Sequence, residues 1–137
     1  TIIKLTMKAI DLVYAYLNKH SLAGWRAEHT DSETIAGSCD YNNKRILLSE
    51  NFCKYNKKGA VIDVILHEIA HALVGYEHKH NKVWKKKFID IGGSGSERPR
   101  CQPFTSILYV CKPCGASYSY EVDKCSKCRN KKIVRVR

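Results

Sequence analysis

Residues 60–80 read AVIDVILHEIAHALVGYEHKH and place four histidines and two glutamates beside a long apolar run. The run from 60 to 74 predicts an α-helix that ends at Gly75, a residue type common just past helix C-termini. Because apolar residues surround this helix on nearly every side, we expect it to be buried. Ionisable groups that are buried without partners destabilise a fold. The stretch therefore needs something that satisfies its histidines and Glu68.

The pattern HExxH at residues 67–71 indicates a metal site. Residues four apart lie on one helical face, so His67 and His71 point the same way and can share one ion. Glu68 lies beside that face, where it can reach a metal-bound water without being a ligand. Zinc lowers the pKa of such a water toward about 7, and a carboxylate can then accept its proton. The competing interpretation, two core histidines with ordinary hydrogen bonds, explains the burial less well.

The third ligand of this metal site is left open by the spacing. A catalytic zinc uses three protein ligands and keeps one position free. His78 gives the spacing HExxHxxxGxxH, one residue longer than the metzincin pattern. His80 stands at the start of the next predicted helix, where Trp84 would hold it in place. Both histidines are candidates.

Other residues around the helix have candidate roles. Asp63, one turn before His67, either orients that histidine or complements the positive end of the helix. The group that stabilises the oxyanion besides zinc would be Tyr76, Arg98 or Arg100.

The rest of residues 1–97 predicts a small α+β domain. An amphipathic pattern indicates a helix at 2–19. The next segment suggests a short antiparallel meander, with an Asn-Asn turn before its last strand. The predicted strands are 25–30, 34–39 and 44–49.

A second helix is predicted at 80–90, directly after the histidine-rich stretch. Trp84 and Phe88 would face inward and a row of lysines outward. The glycine- and serine-rich stretch 92–100 has the composition of a linker. It leads to a separate C-terminal β domain at 98–137.

Four of the seven cysteines form two CxxC pairs in this C-terminal domain. Two such turns typically build a four-cysteine zinc ribbon, in which the metal stabilises the fold. Two redox-active pairs are the alternative, but no thioredoxin-like βαβ pattern surrounds them. The predicted ligands of this structural zinc are Cys111, Cys114, Cys125 and Cys128.

The C-terminal domain is also strongly basic. Residues 98–137 carry ten Lys and Arg against two acidic residues, in a chain whose net charge is +11. Cations that alternate with aromatic side chains are typical of nucleic-acid binding, because cations meet phosphates and bases stack on rings. A solvated basic surface is the plainer alternative, and any single tyrosine could instead pack the small core. The candidate contacts are Lys112, Lys124, Lys127, Arg129, Lys131, Lys132, Tyr118 and Tyr120.

Three segments together resemble the SprT-like zinc metallopeptidases, which include the Spartan proteases. They are AGSCDYNNKRILLSE (36–50), VILHEIAHALVG (64–75) and HNKVWKKKF (80–88), in the family's order and followed by a CxxC ribbon. The resemblance covers nearly the whole chain. It implies a small zincin-like domain with His67, His71 and His80 as zinc ligands and Glu68 as general base. Asn81 stands where the family usually has glycine, and asparagine tolerates left-handed backbone better than most residues.

The resemblance further implies proteolysis of proteins that are bound or crosslinked to DNA, with DNA as activator. We therefore expect a monomeric zinc endopeptidase with one catalytic and one structural Zn²⁺. Its expected partners are DNA, single-stranded in preference to double-stranded, and DNA-bound proteins. The alternative is a non-catalytic nucleic-acid-binding zinc protein, against which the intact Glu68 argues. With no membrane-spanning run and no secretion signal, we expect an intracellular location.

Overall fold

A computed structural model describes the backbone of residues 2–137 and the side chains from residue 9 onward. It confirms a mixed α+β chain with small sheets. The helices are α1 (Ile2–Lys19), α2 (Glu50–Tyr55), α3 (Lys58–Val74) and α4 (Lys82–Asp90), with a 3-10 turn at Tyr76–His78. The strands are β1 (Arg26–Thr30), β2 (Gly37–Asp40), β3 (Arg45–Ser49), β4 (Tyr109–Cys111), β5 (Ser117–Tyr118) and β6 (Ile133–Arg135).

The first sheet is mixed, so the prediction of an antiparallel meander is wrong for β1. Its strand order is β1-β3-β2, in which β2 runs antiparallel to β3 and β1 runs parallel to it. β3 is the most apolar of these strands, and Ile46 and Leu48 are buried. The central position gives both edges of this buried strand a hydrogen-bonding partner, which buried backbone requires. β2 consequently lies at the edge of the sheet.

A short helix that the sequence analysis missed, α2, follows β3 without a loop. Ser49 caps its N-terminus: the hydroxyl accepts the N–H of Phe52 at 3.1 Å and donates to the carbonyl of Ser32 at 2.6 Å. Phe52, a residue of α2, is fully buried. The serine followed by Glu50 is an ordinary helix-start signal, which could have revealed this helix.

The helix that carries HExxH, α3, lies between β2 and α4. It begins at Lys58, two residues before the predicted start, and ends at Gly75 as predicted. The buried side chains of Leu66 and Ala70 on α3 pack against Trp84 and Phe88 on α4. This apolar contact fixes α4, and the loop before it, against the C-terminal half of α3.

The chain divides into two compact units, Thr1–Gln102 and Pro103–Arg137. The first unit includes Gln102, which is held by the side chain of Asn56. The Asn56 Nδ2 donates to the Gln102 carbonyl at 3.2 Å, and the Gln102 N–H donates to Asn56 Oδ1 at 2.7 Å. The second unit contains the antiparallel sheet β5-β4-β6. In the described part of the chain, no helix has the length and apolar character needed to cross a membrane.

Candidate active site and metal centres

Three histidine side chains converge beside the C-terminal half of α3. The Nε2 atoms of His67 and His71 lie 3.2 Å apart, and each lies 3.1 Å from Nε2 of His80. His67 and His71 share one face of α3, whereas His80 comes from the loop before α4. Helical spacing therefore accounts for His67 and His71, whereas the packing of α4 on α3 brings in His80.

The spacing and protonation of these nitrogens fit a zinc ion. Nitrogen ligands of tetrahedral zinc, about 2.0–2.1 Å from the metal, lie about 3.3 Å from one another. Burial, with a smaller contribution from neighbouring histidines, lowers the pKa of His67 to about 3 and of His71 to about 4. Both rings are therefore neutral at pH 7, as metal ligands must be. A cation would also relieve the repulsion among three convergent lone pairs.

The indole of Trp84 forms the floor under the three histidines. It is fully buried, and its ring centroid lies 4.6 Å from His67, 5.1 Å from His71 and 4.6 Å from His80. Its Nε1 donates to the carbonyl of His67 at 3.2 Å. Because one rigid ring touches all three, Trp84 holds their orientation as well as packing the core.

Asn81, which stands where the family usually has glycine, is the N-cap residue of α4. Asn81 has φ −78° and is not left-handed; its Oδ1 accepts the N–H of Val83 at 3.0 Å and of Trp84 at 3.2 Å. The left-handed residue of this loop is Lys79, at φ 46°. The expectation that Asn81 would supply a left-handed turn is therefore wrong. His80 precedes the cap directly and does not begin the helix itself.

Removing this cap should loosen the loop that positions His80. We expect Asn81→Ala to lower the free energy of unfolding by about 1 kcal/mol, since the first backbone N–H groups of α4 lose their acceptor. Asn81→Ser retains an acceptor and serves as the matched control. Urea denaturation followed by tryptophan fluorescence measures both variants. Equal stability of Asn81→Ala and the wild type would contradict the capping role.

His78 is not brought to the other histidines. Its Nδ1 pairs with Asn81 Nδ2 at 3.1 Å, and its Nε2 lies 3.7 Å from Glu77 Oε1. The candidate cluster among the described residues contains His67, His71 and His80 instead.

The two candidates for third ligand can be separated by counting zinc. We expect His80→Ala to weaken metal binding by more than the about 10- to 100-fold typical of outer-shell changes, because a direct ligand is lost. Metal analysis after dialysis should then fall from two zinc ions per chain, one for each candidate site, to one. His78→Ala should retain both. A reversed pattern would assign the ligand to His78.

Glu68 lies next to this cluster and is only 7% exposed. Its Oε2 is 3.8 Å from Nε2 of His67. Burial raises the pKa of Glu68 to about 8. β2 packs closely here because Gly37 has no side chain: a Cβ at Gly37 would lie 2.9 Å from Val64 Cγ1 and 3.4 Å from Glu68 Cγ. Gly37 is thus a site residue that the sequence analysis did not single out, although it lies in the segment that resembles the family.

The segment 92–100 is not a linker, which corrects the prediction from its composition. Ser94 donates through its N–H to Asp63 Oδ1 at 2.8 Å and through its hydroxyl to Oδ2 at 2.7 Å. A hydrogen bond with the Ser96 backbone partly opposes the lowering of the His67 pKa. Asp63 therefore anchors the segment whose backbone contacts His67. The link between Asp63 and His67, one of the two roles that the sequence suggested for Asp63, runs through Ser94 and Ser96 and is not a direct contact.

The three candidates for oxyanion stabilisation have different surroundings. Tyr76 is 69% exposed, and its ring centroid is 6.0 Å from that of Tyr41. Arg98 accepts the Ser96 hydroxyl through its carbonyl, and Arg100 lines a cavity beside the start of α3. Tyr41, which the sequence analysis did not single out, has its pKa raised by burial and by nearby groups, chiefly Cys39 and then Glu68.

The four cysteines of the CxxC pairs converge in the second unit. Cys111 Sγ lies 3.5 Å from Cys128 Sγ, and Cys114 Sγ lies 3.6 Å from Cys125 Sγ. All four sulfur atoms lie within 4.8 Å of one another. Tetrahedral zinc with sulfur at about 2.3 Å places its ligands about 3.8 Å apart. This cluster fits a zinc ion with four protein ligands and no open position.

The two CxxC turns have the same backbone form. The N–H of Gly115 donates to the carbonyl of Cys111 at 2.8 Å, and the N–H of Arg129 donates to that of Cys125 at 2.9 Å. Both residues have positive φ, 78° and 70°. Glycine adopts this conformation freely, whereas arginine there is disfavoured by about 1–2 kcal/mol.

Tyr118 contacts the cysteine cluster through its hydroxyl group. The sequence analysis instead predicted that this residue stacks on bases. Its hydroxyl lies 3.2 Å from Cys125 Sγ and accepts the N–H of Ser126 at 3.0 Å. The hydrogen bond from Tyr118, together with backbone N–H groups, lowers the pKa of Cys125 to about 6. Tyr120 instead is 63% exposed. The six predicted cationic contacts are all exposed, and they are Lys112, Lys124, Lys127, Arg129, Lys131 and Lys132.

Comparison with protein families gives a match. The sequence profile of the SprT-like family matches residues 8–103, which is well over half of the chain and contains His67, Glu68, His71 and His80. No curated protein matches the chain at a significant level. This family is commonly a metallopeptidase-like, zinc-binding domain, in keeping with the three convergent histidines. The chain belongs to the SprT-like family.

Proposed function

We propose that the protein is a zinc-dependent endopeptidase that cleaves proteins bound or crosslinked to DNA and is stimulated by DNA. One observation carries the peptidase assignment. Three histidine nitrogens converge, and the buried Glu68 side chain lies 3.8 Å from one of them. A structural metal site has no chemical use for an uncoordinated carboxylate in that position, whereas hydrolysis requires a base there.

The chain's own residues supply the base and the metal ligands. His67, His71 and His80 would hold the zinc. Bound zinc supplies Lewis-acid chemistry, which polarises the scissile carbonyl and lets water lose a proton near neutral pH. Glu68 takes that proton and delivers it to the leaving amine. Burial raises the pKa of Glu68 in the metal-free protein, and the same burial favours retention of the proton on this carboxyl between the two transfers.

The edge strand β2 is a suitable place for an extended substrate segment. It forms one side of the sheet, and Gly37 on this strand lies against Glu68. An edge strand can add a peptide through backbone hydrogen bonds, largely independently of side chains. A peptide added there would run past the Glu68 carboxylate. Broad sequence tolerance is therefore expected.

Nucleic acid is the proposed partner because of the charge. The chain carries a net +11, and the second unit has several exposed cations and an exposed Tyr120 ring. Such surfaces bind phosphates and stack on unpaired bases, which favours single-stranded DNA. Binding a DNA-associated protein and its DNA together would raise the local concentration of substrate at the active site.

The test is cleavage of a DNA-binding protein by the zinc-loaded full chain, with and without single-stranded DNA. We expect DNA to accelerate cleavage, chelation to abolish it, and Glu68→Gln to serve as the inactive control. Absence of cleavage under every DNA condition, with both metal sites filled, would refute the peptidase assignment and support the non-catalytic nucleic-acid-binding alternative.

A further inference from the structure

A second basic feature lies in the first unit, at the end of α3 opposite the histidines. A cavity of about 660 Å³ opens between the end of α2, the start of α3 and the segment 100–102. Lys54, Lys57 and Arg100 line it, together with Tyr55. None of the lining residues is acidic. None of its lining residues belongs to either metal cluster.

The wall of this cavity is fixed in place. The side chain of Asn56 contacts the backbone of Gln102 through both its oxygen and its nitrogen, at 2.7 Å and 3.2 Å. It also donates to the carbonyl of Phe52 at 3.1 Å. These bonds tie the segment that carries Arg100 to the end of α2. The three cations are therefore held around a common space, and their proximity does not rest on long side chains alone.

No described side chain neutralises the cations around this space. Among the described side chains, Lys54, Lys57 and Arg100 make no ion pair within 4.0 Å. Lys54 Nζ lies 5.0 Å from the centre of the Tyr55 ring, a contact that holds the charge near the cavity without cancelling it. On α4, by contrast, Lys86 is paired with Asp90 at 3.0 Å. Like charges gathered without a counter-charge repel, and a bound anion would relieve this.

The start of α3 adds to the positive potential. Lys57 is the N-cap residue, and no side chain caps the helix there. Both Lys57 and Ala60, in the first turn, line the cavity. The free N–H groups of a helix start favour anions, and phosphate groups in particular. Three cations, an aromatic ring and this helix end thus surround one space.

We propose that this cavity binds the phosphate backbone of single-stranded nucleic acid, with Tyr55 placed to contact a base or sugar. The inference rests on the proposed function in that the same DNA would also engage the second unit. It goes further by giving the peptidase unit its own nucleic-acid site. Along α3, at about 1.5 Å per residue, Lys58 is about 14 Å from His67. DNA at one end of the helix would hold a bound protein close to the active site at the other.

The experiment compares charge-removing variants of the full, zinc-loaded chain by fluorescence anisotropy with a labelled oligothymidylate. The test variant is Lys54→Gln/Lys57→Gln/Arg100→Gln. Its matched control removes the same charge from α4, as Lys82→Gln/Lys85→Gln/Lys86→Gln. A charge-preserving variant, Lys54→Arg/Lys57→Arg/Arg100→Lys, guards against effects on folding.

We expect the test variant to weaken binding at least about tenfold, and the slope of log K against log salt to become shallower by about 2, since each lost phosphate contact contributes about 0.7. The charge-preserving variant should keep the wild-type slope. An unchanged slope in the test variant, an equal loss in the α4 control, or no DNA binding by the wild type would overturn the proposal. If heparin bound the wild type as tightly as the oligothymidylate does, and if the test variant lost the same factor of affinity for heparin, the assignment to nucleic acid would be overturned.

Cleavage of an unstructured protein without DNA separates this proposal from the proposed function. The double variant Lys54→Gln/Lys57→Gln should retain that basal activity, because neither position belongs to the metal site or to the candidate oxyanion groups, and should lose stimulation by DNA. If the wild type cleaves nothing but the test variant still loses DNA affinity, the peptidase assignment fails and the nucleic-acid site stands.

Discussion

Glu68→Gln should lower kcat/KM for peptide hydrolysis by about 10²- to 10⁴-fold while the protein remains folded and keeps both zinc ions. Glutamine has the same shape as glutamate but cannot accept a proton from water. The three histidine ligands are untouched, so the metal should stay. Cleavage assays at saturating DNA, together with metal analysis of the same sample, measure both quantities. Wild-type cleavage by a zinc-loaded Glu68→Gln variant would show that Glu68 is not the base.

The same substitution should change the pH dependence of stability in the metal-free first unit. Burial raises the pKa of Glu68 from about 4.5 to about 8, so between these pH values the folded state binds the proton more tightly than the unfolded state. Glu68 therefore contributes a loss of stability as pH rises from about 4.5 to about 8, while His67 and His71, whose pKa values are lowered, contribute a gain as pH rises toward 6.5. Glutamine does not titrate, so the stability of the wild type relative to Glu68→Gln should fall across this window. If the free energies of unfolding of the wild type and of Glu68→Gln changed with pH in parallel, the raised pKa of Glu68 would be contradicted.

Removing zinc from the four-cysteine site should unfold the second unit and leave the first unit folded. The second unit spans Pro103–Arg137, and chains shorter than about 40 residues rarely fold without a metal or disulfides. Structural zinc contributes about 10–16 kcal/mol of apparent binding energy in comparable sites. Cys125→Ser should therefore lose one zinc per chain and the structure of this unit. Cys101→Ser is the matched control, because this exposed cysteine lies outside the cluster.

Two intrinsic probes distinguish the units in this experiment. Both tryptophans, Trp25 and Trp84, lie in the first unit, so their fluorescence reports on that unit alone. We expect Cys125→Ser to leave this fluorescence and its urea midpoint unchanged, while amide hydrogen exchange of residues 103–137 becomes fast. Slow exchange in these residues without zinc would show that apolar packing alone stabilises the ribbon.

Patterns that repeat within a single helix or turn were readable from the sequence. The HExxH spacing put His67 and His71 on one face because helical geometry is fixed. The end of α3 at Gly75 and the two CxxC turns are equally local. The antiparallel meander failed because strand order depends on which strand the core buries, and only the packed structure shows that β3 is central.

Longer-range relations needed the tertiary structure. Spacing left His78 and His80 as equal candidates for third ligand, and the family resemblance alone favoured His80. The structure brings in His80 because Trp84 packs against α3 and Asn81 caps α4 directly after that histidine. Composition made 92–100 a linker, yet Asp63 binds this segment through Ser94 from 31 residues away. Such pairings depend on the folded path of the chain and leave no periodic signal.

By itself, then, the sequence determined the chemistry available to this protein: two histidines and a glutamate on one helix, and two CxxC turns in a basic tail. Their spacing is set by local backbone geometry, which the residues carry with them. The tertiary structure decided which histidine completes the cluster, how deeply Glu68 is buried and which cations share a cavity. These properties follow from packing between distant segments, because burial and proximity exist only once the core has formed.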